Sequence, residues 1–236
     1  MSYDALSRYY ERLIDFDYQG YLDRLGPVKG LRCLDLACGT GKFTRLLYQA
    51  GAAVEGVDLS PDMLAVAMRL TREAGQKVLY REGDVLSFSF TRPYDLITVV
   101  CDGLNYIKPA LLPKAIAHIA SALAEEGRLV FDVSTPAKLQ EVLGDNLYYE
   151  DEEDLTYYWQ NTLHPKAHSV EMQLTFFERQ GEVYRRYDEE QTQYWHTMEE
   201  IRSAIEGSGL TLDSVLGEGG DPAKQSDHRW IFISTK

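Results

Sequence analysis

The chain has 236 residues, 44% of them hydrophobic, three cysteines and a formal net charge of −13. This length favours one sizeable core with an insertion over two independent domains, and the acidic balance argues against DNA, whose phosphates require clustered lysines and arginines. The scattered cysteines argue against a disulfide framework or a zinc site, and without a long apolar stretch or a leader-like N-terminus we expect a cytoplasmic protein with no membrane segment.

Two short helices come first in the predicted order of elements, over residues 3–14 and 18–25. The first strand is predicted to begin at Leu31, because the residues that follow form an apolar run typical of a buried strand. Tyr10 and Tyr18 lie on the two helices. Their rings are candidates to fold over a bound ligand as a lid, and packing of both rings on the core is the alternative.

The run LDLACGTG at residues 34–41 predicts a buried strand that breaks into a glycine turn. Glycine has no Cβ and tolerates positive φ, so Gly39 and Gly41 allow a ligand to approach the backbone closely. A helix that begins near Lys42 would direct its free amides at the same place. The turn therefore predicts a ligand-binding site.

Spacing tests two nucleotide-binding motifs that use such a turn. A P-loop needs a glycine where this chain has Leu36 and a Ser or Thr where it has Phe43, so this motif is excluded. A dinucleotide fingerprint needs Gly or Ala where this chain has Thr44. A nicotinamide oxidoreductase is therefore disfavoured, although it stays an alternative.

Two carboxylates follow the next two predicted strands. Residues 53–57 form an apolar run that ends in Asp58, about 20 residues beyond the turn, where a carboxylate can accept the hydroxyls of a ribose. Asp84 comes after the strand-like residues 78–80. An Asx-turn beside Gly83 is the alternative role for Asp84.

The segment DLACGTG at residues 35–41 closely resembles the first motif of class I S-adenosylmethionine (SAM) dependent methyltransferases. Asp58 and Asp84 stand at the spacing of that family, and CDGLNY at residues 101–106 is similar to the fourth motif of its small bacterial members. The resemblance implies SAM as cofactor and S-adenosylhomocysteine (SAH) as product. It also implies that Asp84 accepts from the adenine amino group, that the next amide donates to the ring, and that the methionine end lies near Cys101.

Twelve cofactor-binding residues follow from these motifs, whereas no catalytic residue and no metal ligand is assigned. The twelve are Asp35, Ala37, Cys38, Gly39, Gly41, Asp58, Leu59, Asp84, Val85, Cys101, Tyr10 and Tyr18. A thiolate nucleophile at Cys101 is disfavoured, because the Pro-Cys pair of RNA cytosine methyltransferases is absent and a free cysteine commonly serves as a small buried hydrophobe. Three histidines are candidate bases on chemical type alone, and a structural role is favoured for each. They are His164, His168 and His196.

Strands and helices alternate up to residue 135, which predicts a parallel sheet covered on both faces. After Leu143 the side chains alternate in polarity, which predicts an antiparallel meander. The remaining predicted elements are helices over 109–123 and 198–206 and strands over 94–100, 127–133, 157–163, 170–177, 183–195, 211–216 and 229–234. Together with the resemblance, this order predicts the α/β class: a Rossmann-like, seven-stranded class I methyltransferase sheet with its last strand antiparallel, helices on both faces and an inserted β-meander.

The predicted organisation has three parts. They are an N-terminal helical segment or lid (1–30), a SAM-binding core (31–143 and 197–236) and an inserted antiparallel subdomain on the substrate side (144–196). The predicted function is transfer of a methyl group from SAM to an O or N atom of a small-molecule acceptor. An RNA or protein methyltransferase and a non-catalytic SAM-binding regulatory module are the alternatives, and the oligomeric state stays open.

Three features of the insertion bear on the acceptor. Arg179, Arg185 and Arg186 form a basic patch that keeps an RNA partner open, although a solvated strand face with cross-strand charge pairs is favoured. The acidic run 150–154 is predicted as a solvated loop, with the border of a cationic acceptor site as the alternative. The many Tyr and Trp residues are predicted to form the core of the insertion, and the wall of an acceptor pocket is their alternative role.

Overall fold

A computed structural model describes residues 4–236 of the chain. The helix start expected at Tyr3 and the N-terminus expected to be unlike a leader both involve residues 1–3, which lie outside the described residues. The helices are α1 (Asp4–Leu13), α2 (Tyr18–Arg24), α3 (Lys42–Gln49), α4 (Pro61–Glu73), α5 (Leu112–Ser121) and α6 (Met198–Gly207). The strands are β1 (Arg32–Leu36), β2 (Ala53–Asp58), β3 (Leu79–Glu82), β4 (Tyr94–Val99), β5 (Leu123–Ser134), β6 (Leu147–Asp151), β7 (Leu155–His164), β8 (Ser169–Gln180), β9 (Val183–Tyr194), β10 (Thr211–Gly217) and β11 (Arg229–Thr235).

Seven strands form one sheet in the order β10-β11-β5-β4-β1-β2-β3. Strand β11 runs antiparallel to both of its neighbours, whereas β1 to β5 pair in parallel. The predicted fold class, a seven-stranded sheet whose last strand is antiparallel, is confirmed. Because β1 lies between β2 and β4, the chain leaves the centre of the sheet in opposite directions, which opens a crevice at the carboxyl ends of these strands.

The seven-stranded sheet is covered on both faces by helices. Cys33 and Leu34 are neighbours on β1 and point to opposite faces. The face with Cys33 packs against α2 and α3 through Tyr21 and Leu47, and the face with Leu34 packs against α5 and α6 through side chains such as Ile116. Burial on both faces explains why these strands are almost continuously apolar in the sequence.

The inserted meander is a separate antiparallel sheet in the order β6-β7-β8-β9. Three of its strands were predicted, but β6 was not. The prediction that residues 150–154 form a loop is wrong for Glu150 and Asp151, which end β6 and pair with Tyr157 and Thr156. Strand β6 lies at the edge of the sheet, where charged and exposed residues are common, so its sequence lacks the apolar alternation of a half-buried strand.

Two of the three arginines in the basic patch of the insertion are paired with carboxylates, whereas Arg185 lies over the Tyr187 ring, 4.9 Å from its centroid. Arg186 Nη2 lies 2.8 Å from Asp188 Oδ1, and Arg179 Nη1 lies 3.5 Å from Glu153 Oε1.

Among the aromatic residues of the insertion, Tyr157 and Trp195 are buried, whereas Tyr158 is exposed. None of the helices in residues 4–236 has the length and hydropathy that a membrane crossing requires.

At Gly41 the glycine turn packs closely against the core. Its φ is +72°, and a Cβ at this position would lie 2.5 Å from the Tyr80 hydroxyl and 3.0 Å from the Ala67 Cβ. The turn therefore requires glycine here both for its backbone conformation and for the close approach of β3 and α4.

Substitution of Gly41 by alanine should destabilise the fold more than the same change at Gly75, whose φ is +67° but which has no atom within 4 Å of a Cβ. Both variants incur the left-handed backbone penalty of ~1–2 kcal/mol. Gly41→Ala alone adds overpacking, so we expect a further loss of about 2 kcal/mol in the free energy of unfolding, measured in urea. Equal losses in the two variants would contradict this account.

Candidate active site

A cleft lies at the carboxyl ends of β1, β2 and β4, and we call it the carboxyl-end cleft. Eight of the twelve predicted cofactor residues line this cleft, namely Tyr10, Ala37, Gly39, Asp58, Leu59, Asp84, Val85 and Cys101. The sequence prediction omitted six further lining residues, namely Met63, Gly83, Leu86, Gly103, Tyr106 and Ile107. Gly103 and Tyr106 belong to the CDGLNY motif itself, and the other four lie beside a motif residue or in the first turn of the following helix, so membership of a motif or proximity to one was the available signal.

The glycine turn presents backbone to the cleft. Gly39 has φ +54°, and a Cβ on it would meet no atom within 4 Å. Its amide donates to Asp58 Oδ2 at 2.8 Å, which fixes the turn against the end of β2. Open space beside a left-handed residue leaves room for a ligand to lie on the turn.

Asp58 holds the loop after β2 and can also bind hydroxyl groups. Its Oδ1 accepts the amide of Ser60 at 2.8 Å, so each carboxylate oxygen already accepts one backbone N–H. Burial raises the pKa of Asp58, and the amide hydrogen bonds oppose that shift. A carboxylate offers about four acceptor positions, so two remain for a ribose diol.

The far end of the cleft combines apolar walls with a second carboxylate. Leu59 is 56% exposed, although leucine is usually buried, and together with Met63 and Val85 it offers apolar surface for a flat base. Asp84 Oδ1 accepts the amide of Leu86 at 2.8 Å, so the Asx-turn that was the alternative role is present while the residue lines the cleft. A carboxylate with two free acceptor positions beside apolar walls fits the nucleoside part of SAM.

Four of the predicted residues do not line the cleft. Asp35 is buried behind the turn, where it accepts hydrogen bonds from Thr44 Oγ1 at 2.6 Å and Thr98 Oγ1 at 2.9 Å. Tyr18 packs near Phe43, which corresponds to the core-packing alternative. The other two, Cys38 and Gly41, support the turn from the side of β2 and β3. These residues lie behind or beside the turn, and their contact with the cofactor stays a prediction.

The loop after β4 is held in an unusual conformation. Cys101 and Asp102 are consecutive left-handed residues, with φ +64° and +66°. Asp132 accepts both of their amides, at 2.6 Å for Cys101 and 3.4 Å for Asp102. The buried Arg229 guanidinium pairs with Asp102 at 2.5 Å and with Asp132. Burial disfavours the Asp102 carboxylate, but Arg229 and Lys138 outweigh this effect and lower its pKa.

A second cavity of about 250 Å³ lies between α1, the loop after β4 and the inserted sheet, and we call it the inter-sheet pocket. Tyr10, Cys101 and Tyr106 line both this pocket and the carboxyl-end cleft. The Tyr10 hydroxyl lies 3.6 Å from Cys101 Sγ, and burial raises the pKa of both groups. Both are therefore protonated at neutral pH, which argues against a thiolate nucleophile at Cys101.

The three histidines considered as bases lie away from both cavities. His164 is within 3.7 Å of Glu171 on the surface, and His168 stacks on Trp195. His196 is fully buried, with Nε2 3.1 Å from the Leu104 carbonyl oxygen. Within residues 4–236 no cluster of His, Cys, Asp and Glu is arranged to hold a metal ion.

Comparison with known proteins identifies the class. Residues 33–127 match the family described as a methyltransferase domain. The structure of a SAM-dependent methyltransferase from Clostridium acetobutylicum ATCC 824 matches with a TM-score of 0.85 and 28% identity, covering 98% of this chain and 95% of that one. The fold is that of a class I SAM-dependent methyltransferase, and the cofactor of the protein is SAM.

The similarity to one curated protein extends over the whole chain. Over 244 residues the chain is 31% identical to YqeM of Bacillus subtilis (strain 168), which is named as a methyltransferase, covering 100% of this chain and 98% of YqeM. The chain belongs to the methyltransferase family that includes YqeM.

Two further relatives match only part of the chain. A ubiquinone biosynthesis O-methyltransferase of Nitrosospira multiformis is 31% identical over 112 residues, which cover 48% of this chain and 46% of that protein. A dTDP-3-amino-3,6-dideoxy-alpha-D-glucopyranose N,N-dimethyltransferase of Streptomyces fradiae is 32% identical over 105 residues, which cover 44% of this chain and 40% of that protein.

Replacement of Asp58 by alanine should weaken SAM binding at least tenfold, because hydrogen bonds to a charged acceptor contribute about 1.5–3 kcal/mol each. Asp62→Ala is the matched control, since Asp62 lies in the first turn of α4 and does not line the cleft. Calorimetric titration with SAM measures both. Asp58→Asn retains an acceptor oxygen for only one of the two loop amides, so urea denaturation of each variant is needed to separate ribose binding from loop stability. Unchanged SAM affinity in Asp58→Ala would refute the ribose assignment.

Asp35 should make the stability of the fold depend on pH. Burial raises its pKa to about 6, although the hydroxyls of Thr44 and Thr98 oppose this shift. The folded state therefore binds the proton more tightly than the unfolded state, and stability is lost as pH rises from about 4 to about 6. Relative to Asp35→Asn, wild-type protein should lose up to about 3 kcal/mol of unfolding free energy between pH 4 and pH 7. If the free energy of unfolding, measured by urea denaturation, changed equally with pH in wild-type protein and in Asp35→Asn, this prediction would be contradicted.

Proposed function

We propose that the protein transfers the methyl group of SAM to an oxygen or nitrogen atom of a small molecule bound in the inter-sheet pocket. The observation that carries the proposal is that this pocket adjoins the carboxyl-end cleft through Tyr10, Cys101 and Tyr106. Partial relatives named as O- and N-methyltransferases of small molecules support this acceptor class. In this view residues 31–143 and 197–236 bind the cofactor, and 144–196 shape the acceptor side.

Helix α1 covers the junction between the two cavities. On one side, Glu11 accepts hydrogen bonds from Thr40 at 3.0 Å and Arg45 at 2.8 Å, next to the glycine turn. On the other side, the amide of Leu6 donates to Glu189 on the inserted sheet at 3.1 Å. The helix therefore bridges the cofactor side and the acceptor side, which supports exclusion of water from the reacting atoms.

When bound, SAM supplies a methyl group that is already electrophilic, so the protein needs to position an acceptor rather than provide a nucleophile. The rigid loop of Cys101 and Asp102 fixes one wall of the junction. Tyr10 and Cys101 keep their protons at neutral pH, so they offer uncharged surface and hydrogen bonds to the acceptor. Positioning and exclusion of water are the contributions that these side chains make.

The surface of the insertion supports a small acceptor over RNA. Two of the three arginines of its basic patch are partnered by carboxylates, Arg186 by Asp188 and Arg179 by Glu153, and the chain carries a net charge of −13. Neutralised arginines release few counterions from a phosphate backbone, so they contribute little to RNA affinity.

The test is transfer of labelled methyl from SAM by the pure protein into an extract of cells that lack its gene, fractionated into small molecules, RNA and protein. We expect label in the small-molecule fraction. The matched control is Asp58→Ala, which should transfer far less label at the same SAM concentration. Label confined to RNA or protein would overturn the acceptor class, and tight SAM binding without any transfer would instead support a regulatory module.

A further inference from the structure

Three polar side chains interrupt the buried face of the inserted sheet. The inward positions of β9 hold Glu189, Gln191 and Gln193, which are only 7%, 3% and 7% exposed. On β8 the residues opposite them are buried and apolar, such as Met172 opposite Gln191. A sheet face packed on a core ordinarily carries apolar side chains, because a buried polar group costs free energy unless it finds a partner.

Only one of the two polar atoms in the Gln191 side-chain amide has a hydrogen-bond partner. Its Oε1 accepts a hydrogen bond from the Tyr106 hydroxyl at 3.0 Å. Its Nε2 is buried and has no partner among the described residues. The side chain lines the inter-sheet pocket, as does Gln193 two positions along the same face. A donor in this position is available to a molecule in the pocket.

The charged groups that line the inter-sheet pocket are balanced. Two carboxylates, Asp15 and Asp102, face two cations, Lys138 and Arg229. Arg229 is paired with Asp102 at 2.5 Å, and Lys138 lies 3.9 Å from the same carboxylate. An ionic acceptor would compete with these existing pairs, so the pocket favours an uncharged molecule.

Aromatic rings define the shape that the pocket accepts. Tyr10, Phe16, Tyr106 and Trp159 all contribute to its lining. Aromatic walls favour a flat ring, which can stack on their faces or contact their edges.

We propose that Gln191 determines acceptor specificity, and that the acceptor is an uncharged, ring-bearing molecule whose carbonyl oxygen accepts a hydrogen bond from Gln191 Nε2. This inference rests on the proposed function and specifies its acceptor class. Tyr106 orients the amide by donating to Oε1. Because the remaining group is a donor only, an oxygen that only accepts is its best complement.

Four para-substituted phenols of similar size test the proposal: 4-hydroxyacetophenone, 4-ethylphenol, 4-hydroxybenzoate and tyramine. At the para position they carry, in this order, an uncharged carbonyl, no added polar group, a carboxylate and an ammonium. Binding of each to the full-length protein saturated with SAH is measured by calorimetry. We expect 4-hydroxyacetophenone to bind about fivefold more tightly than each of the other three, as one net hydrogen bond allows.

In Gln191→Leu the preference over 4-ethylphenol should fall below twofold. Gln160→Leu is the matched control, since Gln160 is exposed on β7, and it should retain the wild-type preference. SAH affinity, measured for every variant, establishes that the cofactor site is intact. Equal binding of the four phenols, a preference for the carboxylate or ammonium, or a preference unchanged in Gln191→Leu would each overturn the assignment. Methyl transfer into the extract by wild-type protein is scored separately, so failure of the proposed function is distinguishable.

Discussion

The candidate active site depends on the ion pairs that the buried guanidinium of Arg229 forms with two carboxylates. The guanidinium joins the start of β11 to Asp102 after β4 and to Asp132 on β5. Two carboxylates this close could not both ionise in the interior without a cation between them. With that cation present, Asp132 can accept the amides of two consecutive left-handed residues and hold a conformation that is costly for residues other than glycine. The wall between the carboxyl-end cleft and the inter-sheet pocket is thus fixed by a residue 127 positions further along the chain than Asp102.

This long-range dependence explains which parts of the molecule were predictable. Strand β1, the glycine turn and α3 follow from neighbouring residues, since apolar runs and turn glycines act locally. The role of Asp35 does not, because its partner Thr98 belongs to a strand 63 positions away. Strand β6 was missed for another reason: its exposed edge position places no demand for apolar residues on its sequence. Eight of the residues predicted to bind the cofactor line the carboxyl-end cleft, because the motifs occupy loops at one edge of the sheet.

Helix α1 differs from the sheets in how it is held. Arg8 pairs with Glu178 at 3.3 Å and Arg12 with Asp154 at 3.0 Å, and these ion pairs are exposed to solvent. Exposed ion pairs contribute about 0–1 kcal/mol each, so the apolar contacts of residues such as Leu6 with the inserted sheet supply most of the attachment. Local opening of α1 therefore costs less than disruption of either sheet, as is common for elements that cover a ligand site.

The walls of the two cavities come from different stretches of the chain. Apart from Tyr10, the carboxyl-end cleft is built from residues 37–107, whereas the inter-sheet pocket draws mainly on residues 6–16 and 138–193. The partial relatives with different named acceptors align over less than half of this chain. Under the proposed function such a fold is modular: a segment that contacts the acceptor can be exchanged during evolution, or by an engineer, while a segment that contacts the methyl donor is retained.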